Sequence, residues 1–393
     1  MQKPAHPVTA LPRRIASLAF RGLLFTLLLA VTLEICARID DALRYGAPFL
    51  GSYSNERLRG KDPLGFTCNL PNARFEKWQH NSLGFRGPEV AREKKGGVTR
   101  VVCLGASESY GLYESPGKEW PAQLDELLPN SQYEVVNASV VGLSLTSFEA
   151  YLQKHVFPLH PDIVVLVVNP LFYVTGQSKA EQKGGHPPPA PAAAPPRSLK
   201  ESLAANLRIF PKLKQVVKQA ISDNFPDPFR RYQIAQTRKQ VEEIERMRLR
   251  GRTAMEAVPE SYLENFGRGL QRTVELIRSR NCEVVLTSYP ALISGENLAR
   301  HQEIFLDNRR FCIELSLTGI VDTFRRFNSV TAEVAGRMRA PFVDTHRFMP
   351  KSTEFFGDNV HYTDQGARVF AQSVSTLLTG RLHPRQARQE ERR

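Results

Sequence analysis

Short runs of apolar residues alternate with amphipathic stretches in two parts of the chain, 99–175 and 259–380. In the first part, the pattern predicts strands at 100–104, 133–141 and 163–168, with helices near 118–128 and 145–156. In the second part, it predicts a helix over 260–279, a strand at 283–288, one or two helices over 298–338, a strand at 341–344, and a helix that Thr363 caps and that ends near 378. The strands lack polar alternation, which is typical of strands buried on both faces. The pattern therefore predicts an α/β fold in which helices cover both faces of a five-stranded parallel sheet.

An apolar stretch at residues 15–38 precedes these two parts. It is about as long as a membrane-spanning helix, and its charges, Arg21 and Glu34, lie toward its ends, where side chains reach the interface. The segment 1–14 before it is basic, so the positive-inside rule predicts a single-pass signal anchor with a cytoplasmic amino terminus. A cleaved signal peptide and a buried amphipathic helix are the alternatives, but no small-x-small cleavage site follows the apolar core.

Two further segments fall outside the alternating pattern. Residues 39–98 are rich in Gly, Pro and Asn and predict an extended lead-in, in which the turn residues of 81–88 form a loop docked on the domain. Residues 381–393 are polar and basic, which predicts a frayed tail.

A long insertion, residues 176–258, interrupts the α/β pattern. It begins with a Pro/Ala/Gly-rich stretch at 176–198, which predicts a linker. Two basic helical stretches follow, near 199–221 and 229–250, and Pro211 is expected to kink or restart the first of them. Two interpretations stay open: an amphipathic surface for an anionic membrane or polymer, and a solvated helical insertion packed on the sheet.

Charge and cysteine content narrow the classes of function. The 393 residues carry a formal net charge of +13, which suits anionic partners. The sequence holds no recognisable nucleic-acid-binding module, so we expect no nucleic-acid partner. The five cysteines form no Cys-x-x-Cys pair, which argues against a zinc site. We therefore expect neither a metal nor a cofactor.

Polar side chains follow the first and last predicted strands. Ser107 comes directly after the apolar run 101–104, in a turn of small residues, whereas Asp358 and His361 follow the last strand. Because the carboxyl ends of parallel strands meet at one edge of a sheet, these side chains can meet in one cleft. A serine hydroxyl becomes a good nucleophile when an imidazole removes its proton, and a carboxylate fixes the tautomer of that imidazole. The sequence therefore predicts a catalytic triad of Ser107, His361 and Asp358.

The same edge supplies donors for a developing oxyanion. Gly142 follows the second predicted strand and Asn169 ends the third. The backbone N–H groups of Ser107 and Gly142 and the amide of Asn169 are three donors of the kind that stabilises a tetrahedral intermediate. Each residue alone has a plain structural alternative, since serine, glycine and asparagine are common in turns. The ordered set, with each residue after its own strand, favours catalysis.

This order of motifs resembles the SGNH, or GDSL-type, hydrolase superfamily over about 99–172 and 260–380. The residues that carry the resemblance match its first-block glycines and serine, its oxyanion glycine and asparagine, and its Asp-x-x-His block: Gly105, Ser107, Gly111, Gly142, Asn169, Asp358 and His361. The chain departs from the family pattern at Ala106, which stands where an aspartate often precedes the serine. It departs again at Val167 and Pro170, which replace a glycine and an aspartate. The spacing around Ser107 does not fit the Gly-x-Ser-x-Gly elbow of α/β-hydrolases.

The resemblance implies a three-layer, flavodoxin-like fold and an esterase or acyltransferase. Membrane-anchored relatives often modify acyl groups on cell-surface carbohydrate. It therefore implies an extracytoplasmic serine esterase, anchored in the inner membrane with a periplasmic domain, that hydrolyses or transfers O-acetyl groups of a polysaccharide. Two alternatives remain: a lipase or lysophospholipase acting on lipid esters, and a non-catalytic binding module with partners in an envelope polysaccharide complex.

Overall fold

Strands and helices alternate along the chain, which the computed structural model describes over residues 10–51, 53–129, 131–182, 206–300 and 302–390. The strands are β1 (Arg59–Lys61), β2 (Thr67–Asn69), β3 (Arg74–Phe75), β4 (Trp78–Gln79), β5 (Thr99–Leu104), β6 (Tyr133–Asn137), β7 (Ile163–Leu166), β8 (Glu283–Thr287) and β9 (Phe342–Val343). The helices are α1 (Ala10–Tyr45), α2 (Ser107–Tyr110), α3 (Trp120–Leu127), α4 (Leu145–Tyr151), α5 (Pro170–Gln182), α6 (Ile209–Asn224), α7 (Pro226–Leu249), α8 (Glu260–Arg278), α9 (Gln302–Arg309), α10 (Leu317–Met338), α11 (Thr345–Phe348) and α12 (Asp364–Glu390). Single turns of 3-10 or π helix occur at Asn55–Leu58, Leu152–Val156 and Phe157–Leu159.

Five of these strands form the central parallel sheet, in the order β6-β5-β7-β8-β9. Numbered within the sheet, this is the flavodoxin-like order 2-1-3-4-5. The register runs evenly across the centre, where Val102 is opposite Val136 on one side and Val164 on the other. The predicted α/β fold with a five-stranded parallel sheet is therefore confirmed.

The central strands owe their place to uninterrupted apolar sequence. All four residues of β7 are buried, as are Val101 to Leu104 of β5. The helices present apolar stripes to them: Leu270, Val274 and Ile277 recur at helical spacing on α8 and have no exposed surface. Burial of one such side chain contributes about 1.5–3 kcal/mol, so this layer supplies much of the stability of the domain.

The contacts divide the chain into two units. The larger, which holds the sheet, comprises Glu56–Ala193 and Arg230–Arg393. The smaller comprises Met1–Asn55 and Ala194–Phe229. Its described residues include α1 and α6.

Helix α1 of the smaller unit contains a segment, Ile15–Tyr45, of 31 residues that is long and apolar enough to cross a membrane. None of its most apolar window is buried. Polar contacts between α1 and α6 begin at Glu34, in the carboxyl-terminal half of this segment. The Glu34 carboxylate accepts a hydrogen bond from the Ile209 N–H (3.0 Å), and Lys212 forms an ion pair with Asp41 (2.8 Å). These contacts fix the first turn of α6 beside the end of the apolar segment.

The lead-in is folded rather than extended, which corrects the expectation for 39–98. Helix α1 continues through Tyr45, and two antiparallel hairpins, β1-β2 and β3-β4, follow. The loop at 81–88 docks on the domain as predicted: Phe85 belongs to the core, and Asn81 Oδ1 accepts its backbone N–H (2.9 Å). Arg86 then donates to the Gly111 carbonyl (2.5 Å) and so reaches the turn that follows Ser107.

The second basic helix of the insertion, α7, packs on the domain at its carboxyl end. Val241 and Leu249 are buried with Ile313 in a small apolar cluster. Arg248 forms an ion pair with Glu314, the residue that follows Ile313. For this end of the insertion, the packed-helix interpretation therefore describes the structure better than a surface free to bind a polymer.

Several predicted boundaries shift. Helix α5 runs to Gln182, into the stretch predicted as a linker, and 183–198 lies outside the described residues. Helix α6 begins at Ile209, with Pro211 in its first turn, where a proline is tolerated, and 199–205 of the predicted stretch lie outside the described residues. Strand β6, predicted through 141, ends at Asn137, although the Ala138 and Val140 N–H groups beyond it still donate to the Cys103 and Gly105 carbonyls (3.0 and 3.1 Å). Helix α12 continues to Glu390, although a frayed tail is predicted from 381.

Candidate active site

A tight turn presents Ser107 at the carboxyl end of the central strand β5. A Cβ atom at Gly105 would lie 2.3 Å from the Ser109 hydroxyl, so only glycine lets this turn close. Gly111 ends the short helix α2 with a φ of 83°, which L residues rarely adopt, and its N–H donates to the Ser107 carbonyl (3.2 Å). The two glycines that carry the sequence motif therefore shape the backbone on either side of Ser107.

The loop after β9 brings an imidazole and a carboxylate to this serine. His361 Nε2 lies 2.8 Å from Ser107 Oγ, and His361 Nδ1 lies 2.7 Å from Asp358 Oδ2. The structure therefore brings the three residues of the predicted triad into one hydrogen-bonded chain. The hydroxyl, imidazole and carboxylate stand in the order that general-base activation of a serine requires.

The Asp358 carboxylate is held by its own backbone turn. Its Oδ1 atom accepts the N–H groups of Val360 and His361, both at 2.8 Å, so Oδ2 is left for the imidazole. Burial alone would raise the pKa of Asp358, but the hydrogen bonds and the charge of His361 outweigh it, and the pKa is lowered. The carboxylate is therefore ionised near neutral pH, as its role beside an imidazole needs.

An aromatic ring covers the other side of the imidazole. The ring of Tyr113 lies against that of His361, with centroids 4.9 Å apart and an angle of 32° between the ring planes. Burial and the negative charge of Asp358 raise the pKa of Tyr113, so its hydroxyl stays protonated. The ring contact limits rotation of the imidazole away from Ser107.

The candidate oxyanion donors follow neighbouring strands of the sheet. The Val140 N–H donates to the Gly105 carbonyl (3.1 Å), two residues before Gly142. The Val167 N–H donates to the Leu104 carbonyl (2.9 Å), two residues before Asn169. Ser107 itself opens helix α2, whose first N–H groups have no partner within the helix. These contacts place the three candidates near the carboxyl ends of β5, β6 and β7.

Gly142 and Asn169 differ in their surroundings. Gly142 has a φ of 83°, and a Cβ built there would meet no atom within 4 Å, so the conformation and not the space favours glycine. Asn169 is buried, and its Oδ1 atom accepts the backbone N–H of Leu171 (3.0 Å). Its Nδ2 atom lies 2.7 Å from the hydroxyl of Tyr289.

Three residues of the site are missed by the sequence reasoning: Tyr113, Glu108 and Tyr289. Glu108 has no exposed surface, yet it directly follows the serine. A charged residue within a stretch of small and apolar residues indicates a buried carboxylate, and this signal could have identified Glu108. Tyr289 follows strand β8 as Asn169 follows strand β7. This position after a strand is the only sign in the sequence that Tyr289 lies near the site.

The described residues contain no group of three or more His, Cys, Asp or Glu side chains placed to hold a metal ion. All five cysteines are free thiols, and Cys103, Cys282 and Cys312 are buried.

Protein-family models and curated proteins give no match to the chain, whereas solved structures do. A catalytic mutant of the acetylxylan esterase Axe2 from Geobacillus stearothermophilus is 12% identical, with a TM-score of 0.41, over 72% of this chain and 96% of that one. A GDSL-like lipase from Bacteroides thetaiotaomicron is 13% identical, with a TM-score of 0.39, over 74% of this chain and 92% of that one. A lipolytic protein of the G-D-S-L family from Desulfitobacterium hafniense is 14% identical, with a TM-score of 0.39, over 71% of this chain and 99% of that one. At these identities the likeness concerns the fold alone.

Proposed function

We propose that this protein is a serine esterase whose nucleophile is Ser107, whose general base is His361 and whose orienting carboxylate is Asp358. One observation carries the proposal: the unbroken chain from Ser107 Oγ to His361 Nε2 (2.8 Å) and from His361 Nδ1 to Asp358 Oδ2 (2.7 Å). A histidine with only a structural role does not require a carboxylate on one ring nitrogen and a serine hydroxyl on the other. Its second nitrogen here faces the hydroxyl of Ser107, which opens helix α2 at the carboxyl edge of the sheet.

The reaction begins when Ser107 Oγ attacks the ester carbonyl and its proton passes to His361 Nε2. The tetrahedral intermediate carries its negative charge on the former carbonyl oxygen. We assign its stabilisation to the N–H groups of Ser107 and Gly142 and to the amide of Asn169. The intermediate collapses as the imidazolium returns the proton to the leaving alcohol, and the acyl group stays on Ser107.

The acyl-enzyme is discharged by the reverse sequence. His361 removes a proton from water or from an acceptor alcohol, the new oxygen attacks the acyl carbonyl, and Ser107 leaves with its proton restored. Water as the attacking group gives hydrolysis, and a sugar hydroxyl gives acyl transfer. The same residues serve both reactions, so the proposal covers an esterase and an O-acyltransferase.

The substrate that we propose is an O-acetylated carbohydrate of the cell surface. Beside Tyr113 lies an open cleft of about 660 Å³, which falls in the range of small-ligand sites. Six of the nine residues that line it carry polar or charged side chains: Lys77, Ser115, Glu354, Thr363, Asp364 and Gln365. Such side chains can donate and accept the hydrogen bonds that a carbohydrate needs, and this supports a carbohydrate as the substrate.

We further propose that α1 anchors the protein in the inner membrane with the larger unit outside the cytoplasm. Its apolar segment is long enough to span, and the basic residues lie before it. Removal of residues 1–45 should release the protein from membranes into the soluble fraction. Protease added to intact spheroplasts should digest the larger unit of the full chain; protection of that unit contradicts the topology.

Ester hydrolysis tests the proposed activity. The full chain in detergent should hydrolyse p-nitrophenyl acetate, and Ser107→Ala should abolish the reaction. Ser279→Ala, which removes an exposed hydroxyl between α8 and β8 at the amino edge of the sheet, should retain it. Equal rates for wild type and Ser107→Ala contradict the esterase. Faster hydrolysis of p-nitrophenyl palmitate than of the acetate contradicts the preference for a short acyl group.

A further inference from the structure

A buried carboxylate and a buried phenol lie beside the nucleophile, and the proposed triad uses neither of them. Glu108 and Tyr289 are 0% and 2% exposed. The Tyr289 hydroxyl is 3.2 Å from Glu108 Oε2 and 2.7 Å from Asn169 Nδ2. The three side chains therefore form a second hydrogen-bonded chain, which runs from the residue after the nucleophile to the amide at the end of β7.

The direction of each hydrogen bond in this chain is determined. Asn169 Oδ1 accepts the backbone N–H groups of Leu171 (3.0 Å) and Phe172 (3.3 Å), so the atom facing Tyr289 is the amide nitrogen, which only donates. The Tyr289 oxygen must accept from it, and the phenol proton is then donated to Glu108. One N–H of the Asn169 amide therefore donates to Tyr289. Because the amide group is planar, this hydrogen bond also fixes the direction of the second N–H.

The phenol at the centre of the chain is rigidly placed. Asn328 on helix α10 clamps the Tyr289 backbone on both sides: its Oδ1 accepts the Tyr289 N–H (2.7 Å), and its Nδ2 donates to the Tyr289 carbonyl (3.1 Å). The ring stacks on Phe324 with centroids 5.6 Å apart and an angle of 7° between planes. The hydroxyl is therefore presented by a fixed scaffold rather than by a mobile side chain.

Glu108 is fixed as firmly at the other end. Its Oε1 atom accepts the N–H of Ala106 (2.8 Å), within the turn that presents the serine. Burial raises the pKa of this carboxyl, while the hydrogen bonds from Ala106 and Tyr289 and the nearby His361 oppose the rise. Only the ionised carboxylate accepts from both donors, and the chain keeps its direction while Glu108 is ionised.

We propose that Tyr289, held by Glu108, is a positioning residue that aims the second N–H of Asn169 at the oxyanion of the intermediate. The proposal rests on the proposed function, because it assigns Asn169 its part in the oxyanion site. Loss of the Tyr289 hydroxyl removes the partner of Asn169 Nδ2, so the amide is held through Oδ1 alone and its N–H groups are aimed less accurately in the transition state. The effect falls on kcat and not on KM, since the charge is present only in the transition state.

Conservative single variants measure this role. Asn169→Ala should lower kcat about 10²–10³-fold, the usual loss for one oxyanion donor. Tyr289→Phe keeps the stacked ring and should lower kcat about tenfold, as expected for one hydrogen bond, with KM and the melting temperature near wild type. Tyr151→Phe removes another buried hydroxyl, on α4, and should leave kcat unchanged.

The double variant separates positioning from packing. Tyr289→Phe should have no further effect on kcat in the Asn169→Ala background, because the amide that it orients is gone. Losses that multiply in the double variant, or a Tyr289→Phe kcat equal to that of Tyr151→Phe, overturn the proposal. If Tyr289→Phe fails to fold, Glu108→Gln replaces it: the Gln amide would face the phenol with a donor, and the same loss and the same non-additivity are expected. Activity that survives Ser107→Ala would instead overturn the proposed function.

Discussion

Replacement of Asp358 by asparagine tests how the triad works with almost no change in shape. The asparagine oxygen can still accept the two backbone N–H groups that Asp358 Oδ1 accepts at 2.8 Å. The new NH2 group then faces His361 Nδ1, which is 2.7 Å from Asp358 Oδ2. Because that nitrogen must now accept, the imidazole proton moves to Nε2, where it points at Ser107. The histidine becomes a donor to the serine and no longer removes its proton.

The size of the loss follows from this exchange of tautomers. A triad with the wrong tautomer loses about 10⁴-fold in kcat, or about 5 kcal/mol of barrier stabilisation. KM should change little, because Asp358 has no part in substrate binding. The pKa of Asp358 is lowered in the folded protein, so the ionised carboxylate stabilises the fold above its unfolded pKa, and that contribution fades as pH falls through the folded value. The asparagine variant should therefore melt below wild type at neutral pH, and the gap should close in acid.

Initial rates of p-nitrophenyl acetate hydrolysis measure the effect, with the melting temperature recorded for the same samples. Asp322→Asn is a matched control, because Asp322 pairs with Arg325 on the surface of α10. It should leave kcat at the wild-type value. A folded Asp358→Asn enzyme that keeps more than about one tenth of the wild-type kcat would refute the assigned role of the carboxylate.

Two further predictions concern stability. Gly111→Ala should lower the melting temperature, because Gly111 has a φ of 83° and the new Cβ would lie 2.4 Å from a side-chain carbon of Glu119. Gly96→Ala is the control and should not lower it, because a Cβ there would meet no atom within 4 Å. Equal melting temperatures for the two variants would contradict the steric reasoning. Burial raises the pKa of Glu114 to about 8 from 4.5, so wild type should lose stability as pH rises between these values. Glu114→Gln should remove that loss, so its melting temperature should exceed that of wild type only near the upper end of this pH range. Glu126→Gln is the control: Glu126 is half exposed, and its replacement should not change how the melting temperature depends on pH.

The five-stranded parallel sheet and the meeting of Ser107 with His361 could be predicted because both follow from local pattern. Uninterrupted apolar runs mark the buried strands, and parallel strands deliver their carboxyl ends to one edge. A polar residue placed directly after such a run then has a known location, even when 254 positions separate it from its partner. The glycines beside Ser107 could be identified for a related reason. Few residues other than glycine fit where a neighbouring atom comes very close to the backbone or where φ is positive.

The chain from Glu108 through Tyr289 to Asn169 could not be predicted in this way. A buried carboxylate is unfavourable by itself, and its partner arrives from a different strand at a position that a core aromatic residue would also fill. Nothing in the sequence around Tyr289 indicates that its hydroxyl and not its ring matters. The end of β6 is similar, because the apolar pattern continues to Val141 although the strand ends at Asn137.

The central claim, that Ser107 becomes acylated during turnover, is tested most directly by the mass of the protein. Brief exposure to p-nitrophenyl acetate, followed by acid quench and digestion, should give a peptide that contains Ser107 and is heavier by one acetyl group. The same peptide from His361→Ala should be unmodified. A protein that releases p-nitrophenol while the serine peptide stays unmodified, or that acetylates equally without His361, would contradict the account.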